Sequence, residues 1–382
     1  MDGALNGITV VEIGHYIAGP HCAQLFADMG ANVIKVERPG GEAARGFGPY
    51  VQEESLYYTS YNRNKRSIEI NFKSEEGLAA FRKLTEIADI IIDNQRPGYL
   101  SKLGFSFEAI SQYNPGIIMT VITGYGQEGP MRNLPALDMV MQGVGGLMSI
   151  TGFPDGPPTR AGVAVTDFFA SLYGALGAMM ALHARSRTGK GQVVDIAMLD
   201  TLFSALEQWP AATKMLNWVP AQAGNGRMVT APSNAYPTKN GWVYISAVAN
   251  AHFGFLCKEM GHPELIDDPE YATSGSRKKA CQRLDATIAE WTKQQTNEEV
   301  CERLDKLGVA VGPVNSIPEL VDHEQIKIRG MMLEMPHPTL GKLSIVGNPM
   351  KLSANPPQYL TPPPAAGQHT KEILKELGLP FD

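Results

Sequence analysis

Cysteine is scarce and scattered: Cys22, Cys257, Cys281 and Cys301 are the only four in 382 residues. None forms a CxxC pair or a metal-ligand spacing, which argues against a disulfide scaffold or a structural metal and for reduced thiols in a cytoplasmic protein. Positive charge is not in excess either. Lys and Arg number 33 against 39 Asp and Glu, a net −6, so no basic face for nucleic acid is expected. Long apolar runs are limited to residues 168–184. That stretch falls short of the roughly 20 residues a bilayer span needs, and no second one exists to join it. A membrane reading is rejected. The start "MDGALNGITVVEIG" lacks the basic and apolar parts of a signal peptide. HExxH, GxSxG and internal repeats are missing, so metal catalysis and a serine-hydrolase triad have no support.

What is present is alternation. "GITVVEI" (residues 7–13) reads as a buried strand, "HCAQLFADMG" (21–30) as a helix and "NVIKVE" (32–37) as a second strand. Strand, helix, strand at this spacing is a βαβ unit and predicts a parallel sheet. The pattern continues with a helix capped by Ser74, the strands "DIIID" and "GIIMTVITG", and "GQVVDIAML" after a long helix. The fold class is therefore α/β, with a doubly wound large domain and a smaller α+β domain. The expected boundaries are residues 1–200 for the first part of the large domain, 201–224 for a linker, 225–317 for the small domain, and 318–382 for a return linker and the rest of the large domain. Aperiodic Pro, Gly and Trp after residue 208 predict packed loops. Asn240-Gly241 predicts a type I′ hairpin turn, and "NPPQYLTPPPAAGQ" an extended strap before a short terminal helix.

The first βαβ unit ends in an acid, Glu37, which invites a dinucleotide reading. That reading needs GxGxxG in the first turn, and "GHYIAGP" offers only Gly14 and Gly19. Cations collect instead around the strand ends: Arg38, then Lys65, Arg66 and Lys73, then Arg96 and Lys102. Ligands of open α/β sheets bind outside the carboxyl ends of the strands, so such cations suit a multiply phosphorylated ligand. Taken one by one they also suit solvated surface.

Asp167 stands before the long apolar run. Taken alone it reads first as an N-cap that accepts from free backbone amides, and the same geometry suits a carboxylate nucleophile at a partly dry strand-to-helix junction. As a cap it would be held ionised by the helix dipole. His15, His21, His183, His262 and His337 form no recognisable constellation.

With these positions laid out, the chain resembles the family III CoA-transferases, the group of formyl-CoA transferase and carnitine CoA-transferase. The resemblance rests on "GITVVEIGHYIAGPHCAQLFADMGANVIKVERPGG", "NRNKRSIEINFK", "DNQRPGYLSKLGFSFE", "ITGYGQEGP", "LPALDMVMQGVGGLMSITGFPDGPPTRAGVAVTDFFASLYG" and "TGKGQVVDIAMLD". It implies a Rossmann-like large domain and an interlocked homodimer. The family's catalytic aspartate falls on Asp167, and its coenzyme A contacts on His15, Arg38, Lys73, Asn94, Arg96 and Lys102. Coenzyme A and its acyl thioesters are then substrates beside a small carboxylic acid, with no tightly bound cofactor and no metal.

The implied reaction moves CoA from an acyl-CoA to a free acid through an aspartyl–acyl anhydride and an aspartyl–CoA thioester. Only "AGNGR" stands where formyl-CoA transferase carries a glycine run, and Ile17 replaces its glutamine, which argues against formyl and oxalate as substrates. An α-methylacyl-CoA racemase-like isomerase is the alternative, disfavoured because Leu137 precedes the acid of "PALD". A non-catalytic CoA-binding protein is the other.

Overall fold

The computed structural model describes residues 3–380. The chain divides into two units, Met1–Gly145, Gly162–Ala205 and Glu324–Asp382 in the first, Gly146–Ala161 and Leu206–His323 in the second.

The first unit is built on six strands: β1 (Thr9–Glu12), β2 (Asn32–Glu37), β3 (Lys65–Glu69), β4 (Ile90–Asp93), β5 (Ile118–Thr123) and β6 (Val193–Ala197). Every neighbouring pair is parallel and the order is β3-β2-β1-β4-β5-β6, the doubly wound arrangement. Sheets covered on both faces need apolar runs without alternation. Val10, Val11, Ile90, Ile91 and Ile92 meet that need and are fully buried.

Helix α1 (Ala18–Asp28) starts three residues earlier than the expected His21, with Pro20 in its first turn. A missing N–H costs little there, because first-turn amides have no partner inside the helix. Helix α2 (Glu75–Ile87) starts as expected at Ser74, whose Oγ accepts from the Gly77 amide at 3.1 Å. Helix α3 (Asp138–Val144) follows β5, and helix α4 (Val165–Thr188) precedes β6.

Helix α4 is the apolar stretch of the sequence. Among the described residues it is the single helix long and apolar enough to cross a membrane. Here it lies on the sheet. Ala170, Gly174, Ala178 and Ala181 are buried, and a Cβ on Gly177 would come within 2.6 Å of Val194 Cγ1. Small residues thus bring the helix axis close to β5 and β6. Leu172, Tyr173, Leu176 and Met180 on the outer side remain exposed, Met180 by 62%.

In the second unit, β7 (Ser233–Pro237), β8 (Trp242–Ser246) and β9 (Ala310–Pro313) form an antiparallel sheet in the order β9-β8-β7. The β7–β8 hairpin forms where the sequence placed it, but its turn differs. Neither Asn240 nor Gly241 has a positive φ, so it is not type I′. The loop spans Thr238 to Gly241, closed by Thr238 N donating to Gly241 O at 2.9 Å. Expected loops after residue 208 include a helix, Trp209–Leu216, opened by Pro210. Buried Arg277 ties this unit together, donating to Ala231 O at 2.9 Å and Tyr271 O at 2.8 Å.

The C-terminal segment adds a hairpin, β10 (Met332–His337) and β11 (Gly341–Val346), which the sequence reading missed. The Pro-rich stretch beyond it, part of the same unit, has no regular element and is tied to the residue before β3: Asn64 Nδ2 donates to Gln358 O at 2.7 Å and Asn64 Oδ1 accepts from Leu360 N at 2.8 Å. On either side of it, Arg63 Nη1 donates to Val346 O at 2.8 Å and the Ser67 amide to His369 Nδ1 at 3.0 Å.

Candidate active site

In a doubly wound sheet the crevice opens where strand order reverses, here between β1 and β4 at their carboxyl ends. The turn after β1, "GHYIAGP", meets the segment after β4. Asn94 brackets His15: its Oδ1 accepts from His15 N at 2.9 Å and its Nδ2 donates to His15 O at 3.0 Å. Gly14 and Gly19 are what let this turn close. A Cβ on Gly19 would meet Asn94 Oδ1 at 2.9 Å and Gly14 Cα at 3.1 Å. The His15 imidazole is pushed down to about 4 by burial and by the Lys35 ammonium. At neutral pH it is an uncharged hydrogen-bonding group.

Arg38 follows β2, Lys73 follows β3, Arg96 follows β4, and Lys102 ends the short helix Tyr99–Lys102. All four are exposed, on the segments that leave the carboxyl edge. Lys65 and Arg66 do not join them. Both lie within β3: Lys65 is buried against Glu12 at 2.7 Å, and Arg66 pairs with Glu372 at 2.8 Å and Glu376 at 2.7 Å.

Helix α4 runs back across the sheet into β6, so its first turn also lies at the carboxyl edge. Asp167 is not the N-cap. That position is Ala164, and Asp167 sits in the first turn proper. The capping work falls to Asp138 on α3, whose Oδ1 accepts from Thr166 N at 2.8 Å and Thr166 Oγ1 at 2.5 Å, while Gln142 Nε2 donates to its Oδ2 at 2.7 Å. The helix dipole does not hold Asp167 ionised as expected either. Burial, and then the neighbouring Asp138 charge, push its carboxyl up to about 7. Asp167 is thus half-buried, near its titration point at neutral pH, and relieved of a structural role that another carboxylate performs.

A run of rings connects the two places. His15 and Tyr16 lie 4.8 Å apart between centroids, Tyr16 and Phe47 5.6 Å, Phe47 and Tyr57 5.8 Å, Tyr57 and Tyr61 6.0 Å, and Tyr61 and Phe168 6.1 Å. Burial raises the hydroxyls of Tyr57 and Tyr61, and the Asp167 charge raises both further. His21 completes the wall, 4.8 Å from Phe168. Its Nδ1 lies in hydrogen-bond contact with Ser171 Oγ at 2.6 Å, and that hydroxyl is also 2.9 Å from Phe168 O. A carboxyl group beside an aromatic wall at a polar crevice can attack an acyl carbon with little water present.

The profile described as CoA-transferase family III matches residues 5–370. The chain belongs to that family. Its activity is that of a family III CoA-transferase, acting on CoA thioesters. It is 37% identical to the succinyl-CoA–D-citramalate CoA-transferase of Chloroflexus aurantiacus, over 98% of this chain and 94% of that one. It is 39% identical to the succinyl-CoA:glutarate CoA-transferase of Mus musculus, over 98% and 86%. The crystal structure of a CaiB/BaiF family protein from Brucella suis superposes with a TM-score of 0.88 at 33% identity, over 99% of this chain and 100% of that one.

Sequence reasoning noted Asp138 only as the acid of "PALD" and not as the cap of α4, and it missed Tyr57, Tyr61 and the ion pairs that join Glu12, Lys35 and Glu42 beneath the first turn of this CoA-transferase. "SLYYTSYN" did carry a hint, three tyrosines in a polar loop between strands. The capping role of Asp138 carried none, because its partner Thr166 lies 28 positions away.

Proposed function

We propose that the enzyme moves coenzyme A from succinyl-CoA to a second small carboxylic acid, with Asp167 as the nucleophile. One Asp167 carboxylate oxygen attacks the thioester carbon, the C–S bond breaks, and an aspartyl–succinyl anhydride and CoA thiolate form. The thiolate attacks the Asp167 carboxyl carbon, releasing succinate and leaving an aspartyl–CoA thioester. The acceptor carboxylate then runs the two steps in reverse, and Asp167 is regenerated as the acceptor leaves as its CoA thioester. A thioester is present at the start and the end, so no external energy source enters. Arg38, Lys73, Arg96 and Lys102 would face the coenzyme phosphates, with His15 and Asn94 beside the pantetheine arm.

The observation that carries this reading is the freedom of Asp167: a half-buried carboxyl in the first turn of α4 whose capping function Asp138 performs. Succinyl-CoA as donor is supported by the relatives named above. Proton exchange by a racemase-like pair finds less support, since both Asp138 oxygens accept hydrogen bonds and Leu137 precedes it. The exposed outer face of α4, continued by Met139, Val140 and Val144 on α3, supports a homodimer, and four unpaired cysteines suit a cytoplasmic site.

The test is exchange between succinyl-CoA and labelled succinate. The parent should scramble label, and folded Asp167→Asn should bind CoA yet scramble none. Exchange by Asp167→Asn at a near-parent rate would remove Asp167 from the mechanism.

A further inference from the structure

The turn that brackets His15 is held from below by buried charge. Lys35 on β2 is fully buried, with Nζ 2.7 Å from Glu12 Oε1 and 2.8 Å from Glu42 Oε1, and it donates to Gly14 O at 3.2 Å. The other oxygen of Glu42 accepts from Tyr16 N at 3.0 Å. Glu12 Oε2 meets Lys65 Nζ at 2.7 Å. Glu37, bound by Arg45 at 2.6 Å, accepts from the Glu42 amide at 2.9 Å. Three carboxylates and three cations thus run beneath one turn.

Burying such a chain brings no obvious gain in stability, since well-packed apolar side chains of similar volume commonly do as well or better. What apolar side chains cannot do is fix a backbone. Tyr16 is a non-glycine residue at φ 64, a conformation that bulky side chains adopt only under constraint. The main chain around it is tied by side chains at every step: Gln95 Nε2 to Ile13 O at 2.8 Å, Lys35 to Gly14 O, Asn94 to both polar groups of His15, and Glu42 to Tyr16 N.

We infer that Glu42, held in place by Lys35, is a positioning residue for acyl-CoA binding: its carboxylate fixes the Tyr16 amide and so the conformation in which the His15–Tyr16 turn meets the coenzyme. The inference rests on the proposed placement of coenzyme A against His15. Glu42 touches no substrate and acts through the turn.

Calorimetric titration with free coenzyme A, together with melting temperatures, tests it on the full chain in three variants. Glu42→Gln keeps an oxygen for Tyr16 N but loses the charge facing Lys35, which retains Glu12. Glu42→Ala loses both. Both should lower the melting temperature, but the affinities should separate: about tenfold weaker for Glu42→Ala, within about threefold of the parent for Glu42→Gln. A purely structural carboxylate predicts affinities that do not separate. Folded Glu42→Ala binding CoA as the parent does, or Gln and Ala variants equally weakened, would overturn the inference. His15→Ala separates it from its foundation. If His15→Ala weakens binding and Glu42→Ala does not, positioning alone is wrong; if His15→Ala binds as the parent does, the placement of coenzyme A is wrong and the inference falls with it.

Discussion

A carboxyl group must be ionised to attack a thioester, and the surroundings of Asp167 resist ionisation. With its pKa raised to about 7, kcat/KM for succinyl-CoA should fall about tenfold per pH unit below 7 and level off above it. Burial is the larger cause and Asp138 the second. Asp138→Asn keeps an oxygen for the Thr166 amide, so it should move that midpoint down while leaving it above the ordinary aspartate range. An unmoved midpoint in the pH–rate profile would assign the shift to burial alone. Stability follows the same titration. A raised carboxyl pKa means that the folded chain holds the proton more tightly, so stability declines as pH rises from the ordinary aspartate range to about 7. Asp167→Asn should therefore stabilise the fold at pH 8 by about 1–2 kcal/mol, discounted for partial exposure, and the gain should vanish near pH 4 in thermal melts. Arg38, proposed to face the coenzyme phosphates, would work through charge at an exposed position. Arg38→Ala should weaken CoA binding several-fold in low salt and less in high salt, where the parent is already weakened; unchanged affinity would remove Arg38 from the site.

Helix α4 joins the sheet to the carboxyl proposed to react, and its small residues set how closely it lies. Gly177→Val should cost about 1–3 kcal/mol by overpacking against Val194, read as a lower melting temperature. A neutral outcome would mean that the helix can lift away. This close packing was legible in the residues, as were β1, β2, the Ser74 cap and the β7–β8 hairpin, because each depends on local pattern or a short-range hydrogen bond. What escaped depends on partners far along the chain. Asp167 had the look of a cap because an acid stood before an apolar run, while the true capping carboxylate sits on another helix. Lys65 and Arg66 had the look of surface cations because nothing local shows Glu12 or the terminal helix beside them. The β10–β11 hairpin was masked by Pro336 and Pro338 and by Gly341, residues that read as loop and here sit at a strand end and in a turn.

At the scale of the whole molecule, Leu176, Met180, Met139 and Val144 leave an apolar face that a lone chain would show to water. An interlocked homodimer would cover it, and threaded chains separate only by unfolding. Analytical ultracentrifugation should find no folded monomer on dilution to nanomolar concentration; reversible monomerisation with structure retained would contradict the interlocking. The proposed transfer of coenzyme A depends on one covalent bond. Succinyl-CoA incubated with the enzyme and then treated with hydroxylamine should convert one carboxyl of each chain to a hydroxamate, visible in the intact mass. Peptide mapping should place it on Asp167, with no modification in Asp167→Asn. A hydroxamate elsewhere, or transfer without any in a parent enzyme caught mid-turnover, would contradict the account.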